Sequence, residues 1–506
     1  MDELISALQD STLYDHPVKS FTIIETHISW VILTGIYAYK IKKPVNFGFI
    51  DFSTLEKRQF YCAEELRLNS RFASDIYLQV IPISGSRKHP QLNGKGKAIE
   101  YAVKMKEFPQ RNLLSSFARK KHLNTDHIDA MADVIAAFHH TAEPATTDTN
   151  FGSSDSIENW VEENFMQIDN LLPNQILPRA YAALKHWCLS SDQSWLNNMR
   201  NRKANGFIRH CHGDLHLGNI TLINEKVTLF DCIEFNKELR WIDTISEVAF
   251  VMMDLQARKY PEFSWRFLNR YLQNCGDYAG LSIFRYYFVY RAMVRAKVAA
   301  LSAQQSSKET ENIQRQYCLE YLQLAIDWSK PDTPVLTIMH GLSASGKSTL
   351  ALKIAEETGA IQIRSDIERK RLVGLKANEQ SGSSLNQGIY SSKINQQTYQ
   401  HLLHLAEQIL TAGFSVIVDA TFLKKNQREP FQTLALQHQL EFKIVSCQVD
   451  YEELAQRIKQ RSEAGTDASE ANLEVLNQQI ETQQQLTRDE RLFTVTSKPF
   501  AKFTSG

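Results

Sequence analysis

The segment His212-Gly213-Asp214-Leu215-His216-Leu217-Gly218-Asn219 sets an acid and an amide five positions apart. A short hairpin segment follows and ends at Leu229-Phe230-Asp231, which supplies a second acid. These are the parts of a phosphoryl-transfer site. Asp214 can accept the proton of an attacking hydroxyl, while the Asn219 oxygen and Asp231 can hold Mg²⁺ between nucleotide phosphates. Zinc hydrolysis is the competing chemistry, because His210, His212, Asp214 and His216 are plausible ligand types. That reading leaves Asn219, the hairpin and Asp231 without a task. His212 is then a brace for the loop. His216 either lines the substrate side or is a partly exposed loop residue.

A second constellation lies far downstream. Gly341-Leu342-Ser343-Ala344-Ser345-Gly346-Lys347-Ser348 is G-x-x-x-x-G-K-S between an apolar strand, Val335–Met339, and a helix expected from Thr349. In that context the glycines let backbone N–H groups wrap phosphates. Lys347 reaches the β- and γ-phosphates and Ser348 binds Mg²⁺. Asp419 ends the apolar run Phe414–Val418, the Walker B position, where it acts on Mg²⁺ through water. Asp366 follows the strand-like Ile361–Arg364. In P-loop kinases an acid here can accept the acceptor's proton, and Arg364 can steady an anionic acceptor; Asp366 can also cap a helix, and the two roles can coexist.

The wording His-Gly-Asp-x-x-x-x-Asn followed by Asp231 resembles the aminoglycoside phosphotransferase and choline-kinase-like group, which shares its order of parts with protein kinases. The resemblance covers about residues 20–300. It implies an amino-terminal lobe in which a strand lysine, Lys40 with Lys42 as runner-up, holds the α- and β-phosphates. Glu64 or Glu65 on the next helix would orient it. It also implies a hinge at Met105–Phe108 that meets the nucleotide base and a bracing role for Asp243. No Gly-x-Gly-x-x-Gly precedes the lysine. Residues from 333 to 497 resemble P-loop kinases. The charged stretch Tyr451–Gln485 is similar to the lid of adenylate-kinase-like or zeta-toxin-like enzymes, with Arg457 and Arg461 as the lid arginines. The polar loop Lys376–Tyr390 would cover the acceptor.

Several elements must position these groups. Phe21–Glu25, Ser29–Lys42, Ile76–Ile81 and Ala98–Glu107 read as strands of a small antiparallel sheet. A helix is expected from Ser53, as its cap, to about Phe72. Ile128–His140, Ser156–Leu172 and Ala180–Asn198 read as helices, and Phe207–Arg209 as a buried strand. Ile245–Leu255 is an apolar core helix. Phe284–Ala303 is a long helix whose Arg285, Arg291, Arg295 and Lys297 suggest a solvated face, or attraction for an anionic acceptor. The expected fold is an α+β protein-kinase-like bilobal domain over 1–330, with lobes at about 20–110 and 111–330. An α/β P-loop NTPase domain with a parallel sheet follows over 331–506.

Lys+Arg and Asp+Glu both number 57 in 506 residues, so net charge gives no pull toward nucleic acid or anionic membrane. Seven scattered cysteines without a C-x-x-C pair suit a reducing cytoplasm. The acidic start is unlike a signal peptide, and no apolar run approaches a membrane span. The pattern implies an ATP- or GTP-dependent, Mg²⁺-using phosphotransferase acting on small-molecule hydroxyls, with two nucleotide sites. Two other classes fit the same motifs. One is a switch or scaffold in which the P-loop domain controls the other domain. The other is a polynucleotide 5′-hydroxyl kinase in the carboxy-terminal half.

Overall fold

The computed structural model describes residues 2–497 except 49, 173–177, 191–192, 305–307, 331, 378, 380, 382–387 and 465–471. The chain divides into two compact units, Met1–Ile157 with Arg200–Asp254, and Glu158–Met199 with Leu255–Gly506. Helices that the sequence reading places in the first domain therefore belong to the same unit as the P-loop.

The first unit opens with a six-stranded antiparallel sheet in the spatial order Thr22–Glu25, Ser29–Leu33, Tyr37–Lys42, Ala98–Lys106, Tyr77–Gly85, Pro90–Leu92. Strand alternation sorts its side chains. Tyr39 and Ile41 pack with Leu4, Ile5 and Leu8 on one face, whereas Ala38 packs with Cys62 of the following helix on the other. Lys40 and Lys42 share the helix face by the same alternation. The single strand expected over Ser29–Lys42 is a hairpin. The chain reverses at Thr34–Ile36, where Gly35 takes φ +92° and the Thr34 and Gly35 N–H groups donate to the Glu107 carboxylate at 2.9 and 2.7 Å.

The next helix runs Leu55–Ala73, and its cap is Thr54, whose side chain accepts the Lys57 N–H. Ser53, the expected cap, spends its hydroxyl on Asp51 instead, at 2.6 Å. The rest of this unit is helical, with Leu114–Arg119, Thr125–Thr141 and a helix from Thr244 around two small strand pairs. Ile208–His210 pairs with Trp241–Asp243, and Ile220–Ile223 pairs with Lys226–Leu229. The latter hairpin turns on Asn224 and Glu225, both at positive φ, the geometry of a two-residue primed turn.

The second unit is built on a five-stranded parallel sheet ordered Ile361–Arg364, Val416–Asp419, Val335–His340, Glu441–Cys447, Thr494–Ser497. Lys347–Thr358, Ser392–Thr411 and Lys425–Gln437 are its connecting helices. The helix Pro261–Cys275 lies along the first of these strands. Its Asn269 amide donates to Ala360 O at 3.0 Å and accepts the Gln362 N–H at 2.6 Å. Leu281–Gln304 and Lys308–Trp328 form a helical pair. The basic groups of the first are not a solvated face. Arg291 is 5% exposed. Arg285 lies over the Trp328 and Phe414 rings and donates to Trp328 O at 2.9 Å. The helix expected over Ala180–Asn198 is two, Pro178–Leu189 and Gln193–Ala204. No helix among the described residues is long and apolar enough to cross a membrane.

Candidate active sites

In the first unit the short strand Ile208–His210 delivers the chain into the His-Gly-Asp loop. Gly213 sits at φ +92°, and a Cβ there would lie 2.6 Å from Leu239 O, so the turn requires glycine. The buried His212 ring bonds Phe230 O through Nε2 at 2.8 Å, while Nδ1 accepts the Asp214 N–H at 3.4 Å. Burial lowers its pKa, so the ring is the neutral Nε2–H form this pair of bonds calls for. His212 is thus the brace its position suggested. His216 closes the loop by accepting the Gly218 N–H at 3.0 Å, with Nε2 3.5 Å from the Asp214 carboxylate.

Asn219 turns its amide N–H groups onto Asp214, donating to the carboxylate at 3.0 Å and to the backbone O at 2.9 Å. Its carbonyl oxygen is then the atom suited to a hard cation. Asn219 O accepts the Phe230 N–H at 3.0 Å, which brings Asp231 beside the loop. Asp231 stands at φ +63°, and Cys232 N–H donates to Asn69 on the Leu55–Ala73 helix at 2.8 Å.

Lys40 reaches this corner. Its Nζ lies 2.5 Å from Asp231 and 2.8 Å from Glu65. Lys42 binds the other Glu65 oxygen at 2.7 Å and also pairs with Glu234. Burial opposes the charge on Lys40, but Asp231, Glu65 and Glu234 outweigh it and hold the ammonium well above its usual range. Burial likewise pushes Glu65 up, yet two lysines bring it down to about 2. Glu234, with one lysine, is raised by burial and by Glu65. Of the two glutamates proposed as the lysine's partner, Glu65 meets it. Glu64 pairs with Arg67 at 2.8 Å.

The brace expected at Asp243 lies elsewhere. Asp243 forms a buried bidentate pair with Arg202 at 2.7 and 2.8 Å. Glu247, one helical turn on, carries the loop. It accepts the His212 and Gly213 N–H groups at 3.2 and 2.6 Å and bonds His139 at 2.9 Å. Burial alone would raise this carboxyl, but the His139 bond and charge and the Gly213 N–H bring it to about 2. Its only sign in the sequence is that it is one of two acids, with Asp254, inside an apolar helix, and Asp254 also serves the loop by accepting the Leu217 N–H at 2.9 Å. Arg71 adds a further tie, donating to His210 O at 2.9 Å and Cys211 O at 3.2 Å. His210 accepts from Arg240 at 3.0 Å, and burial with Arg71 and Arg240 pushes its pKa down to about 3.

In the second unit the P-loop leaves the strand Val335–His340 and enters the helix Lys347–Thr358. Gly341 (φ +144°) passes so close to Cys447 that a Cβ would meet its O at 2.5 Å. Ala344 and Gly346 also take positive φ, and Gly346 caps the helix. Ser348 and Thr349 lie in the helix's first turn. Lys347 folds back to Leu342 O at 2.6 Å and lies 3.4 Å from the Ser345 hydroxyl.

Asp419 ends its strand, 4% exposed, in register with Arg364. Burial raises its pKa against Arg364 at 3.8 Å and a bond from the Ser348 hydroxyl. Gln362, which the motif pattern does not single out, donates to Asp419 at 3.1 Å and to Ser348 O at 3.3 Å. Asp366 is the second residue of the helix Ser365–Leu372 rather than its cap. It pairs with Arg369 at 3.1 Å, and Arg369 reaches Asn395 at 3.4 Å.

From the helix Tyr451–Ala464, Arg457 donates to Ala344 O at 3.2 Å and is held by Glu453. Gln479 clamps Ser343, accepting its N–H and donating to its hydroxyl, both at 2.9 Å. Arg461 shares the helix Tyr451–Ala464 with Arg457, and its side chain falls outside what the structure describes, as does most of the loop 376–390. Among the described residues the structure thus gathers Lys40, Glu65, Asp231, Asn219 and Asp214 in one unit. In the other it gathers the P-loop, Asp419, Arg364 and Arg457, with Asp366 next to Arg364.

Residues 336–486 match the family model described as an AAA domain. The uncharacterized protein Rv2004c of Mycobacterium tuberculosis (strain H37Rv) is 30% identical over 471 residues, covering 92% of this chain and 91% of its own length. The uncharacterized protein Mb2027c of Mycobacterium bovis matches equally. Among solved structures, a choline/ethanolamine kinase family protein from Mesorhizobium loti is similar with 9% identity and a TM-score of 0.39, covering 65% of this chain and 98% of that one. The GDP complex of aminoglycoside 2′-phosphotransferase-IIIa shows 12% identity and a TM-score of 0.37, covering 64% and 99%. The second unit carries the residues matched by the AAA-domain model, and by its likeness along nearly its whole length the chain belongs to the family of these mycobacterial proteins.

Proposed function

We propose that the protein is a phosphotransferase with two nucleotide sites, each transferring the γ-phosphoryl group of ATP or GTP to a hydroxyl of a small molecule. The observation that carries this reading is the gathering of Lys40, Glu65 and Asp231 at one corner, with Asn219 bonded to Asp214 beside it. In this reading Asp214 is the base. Its carboxylate is oriented by the Asn219 amide, and the side chain is 39% exposed, so an acceptor hydroxyl can reach it. Lys40 holds nucleotide phosphates and Glu65 holds Lys40.

The donor set at Asn219 and Asp231 is all oxygen, as is that at Ser348 and Asp419, and oxygen donors fit Mg²⁺. When bound, the ion neutralises charge between the phosphates. In the second unit Lys347 and the P-loop N–H groups bind phosphates, Arg457 approaches from the lid, and Asp366 is the base for an acceptor steadied by Arg364. A switch role for the P-loop unit is the second reading, favoured by the Gln479 clamp, which already satisfies Ser343.

The test is γ-phosphate transfer from Mg·ATP or Mg·GTP into a pool of cell metabolites by wild type, Asp214→Ala, Lys347→Ala and the double variant. Two kinases give two labelled products, each lost in a different single variant. If Lys347→Ala abolishes all transfer and Asp214→Ala changes nothing, the first unit is not a kinase. Labelling of oligonucleotide 5′ ends, abolished by Lys347→Ala, would instead identify a polynucleotide kinase.

A further inference from the structure

The kinase corner holds more charge than one lysine and one glutamate require. Lys40 and Lys42 stand two residues apart on one strand face, and each takes one oxygen of Glu65, at 2.8 and 2.7 Å. Lys42 has a second partner, Glu234, three residues beyond Asp231. Lys42 is 1% exposed, Glu65 0% and Glu234 5%, and the Lys42 ammonium lies 4.9 Å from the centre of the Phe52 ring. A buried ion pair adds little to stability over an apolar pair of the same shape, so its presence asks for another reason.

The charge count supplies one. Three carboxylates, Glu65, Asp231 and Glu234, face two ammonium groups. Once the Asp231 charge is given to a cation, two carboxylates face two ammonium groups and the corner is balanced. Without Lys42, both buried glutamates would draw on Lys40 alone. Lys40 would then be pulled inward, away from a phosphate. The Asp231 segment is fixed independently, through Cys232 N–H to Asn69 and Ile233 N–H to His212 O. Glu234 is therefore held near the lysines whether or not Lys42 is present.

We propose that Lys42 is a positioning residue that neutralises Glu234 and one oxygen of Glu65, and so reserves Lys40 for the nucleotide phosphates. This rests on the reading of the Lys40 corner as a nucleotide site.

The experiment uses the full chain carrying Lys347→Ala, which removes the P-loop site, and measures the Kd for Mg·ATP, or for Mg·GTP if ATP does not bind. Lys40→Met reports on the site itself. If it leaves the Kd unchanged, the corner is not a nucleotide site and the proposal falls with that reading. Where Lys40→Met weakens binding, Lys42→Met is expected to raise the Kd about tenfold or more, equivalent to ~1.4 kcal/mol. Adding Glu234→Gln to Lys42→Met removes the competing carboxylate and is expected to restore the Kd to within about threefold of the parent. A packing role for Lys42 gives no such rescue. A Lys42→Met Kd within threefold of the parent, or a double variant as weak as Lys42→Met, overturns the proposal. If Lys42→Met fails to fold, the balanced double variant decides alone: binding within threefold of the parent supports the proposal, and weaker binding overturns it.

Discussion

Replacing Glu247 by Gln removes the charge that holds the His-Gly-Asp loop while keeping the shape of the side chain. Glu247 is completely buried and accepts two backbone N–H groups of the loop as well as the His139 ring. Its carboxyl is shifted from 4.5 to about 2, a difference equivalent to about 3 kcal/mol at ~1.4 kcal/mol per decade. The native loop binds the ionised form. The contribution is therefore complete above the unfolded value and is lost as the pH falls toward 2. Hydrogen–deuterium exchange of peptides spanning 208–217 reads the opening free energy of this loop without requiring the second unit to unfold. With exchange corrected for its intrinsic rate, Glu247→Gln is expected to lower protection by about two orders of magnitude at pH 7, narrowing to about tenfold by pH 3. A gap within threefold at pH 7, or one as wide at pH 3 as at pH 7, would refute the assignment of Glu247 as the charged brace.

Three further outcomes follow from the same geometry. Gly213→Ala forces a Cβ to within 2.6 Å of Leu239 O at φ +92°. It should cost upwards of ~2 kcal/mol and abolish first-site turnover, checked by thermal unfolding and by transfer assays on a Lys347→Ala background. Gly341→Ala meets Cys447 O at 2.5 Å. A nucleotide titration should then lose the P-loop component and keep the one that depends on Lys40. Arg202→Met strands the buried Asp243 charge and should destabilise by about 3–5 kcal/mol in urea unfolding, with Asp243→Asn on top recovering part of the loss.

The His-Gly-Asp and P-loop motifs are legible because each is a local string whose spacing follows directly from the chemistry proposed for it. Asp214 and Asn219 need one tight loop, and Lys347 and Ser348 need one turn and one helix start. Partners brought together by folding are harder to read. Glu247 lies in a run that patterns as core, and the sign that it is special is physical: a carboxylate in an apolar helix must find donors once buried. Asp243 is the more obvious acid by resemblance, yet Arg202, far back in the chain, claims it. Glu234 follows Asp231 too closely to stand out. Its role depends on Lys42, nearly two hundred residues earlier.

The basic helix Leu281–Gln304 misleads for a different reason. Spacing of four assigns Arg291 and Arg295 to one face but says nothing of what covers that face, and Arg285 stacks on aromatic rings that a charge pattern cannot reveal. The hairpin at Thr34–Ile36 is hidden because β-branched and aromatic residues continue on both sides of one glycine.

Among the described residues the strand Ile361–Arg364 is the outermost member of its sheet, with pairing on one side only. On its open side Asn269 stands in for a missing neighbour, offering one donor and one acceptor to the backbone as another strand would. A gene fragment beginning at the expected domain boundary, residue 331, would leave that flank bare, a template for intermolecular pairing. The P-loop half is therefore not a cassette that can be cut out at the motif-based boundary. A fragment meant to stay monomeric has to begin upstream of Pro261, where the helix that guards this flank starts.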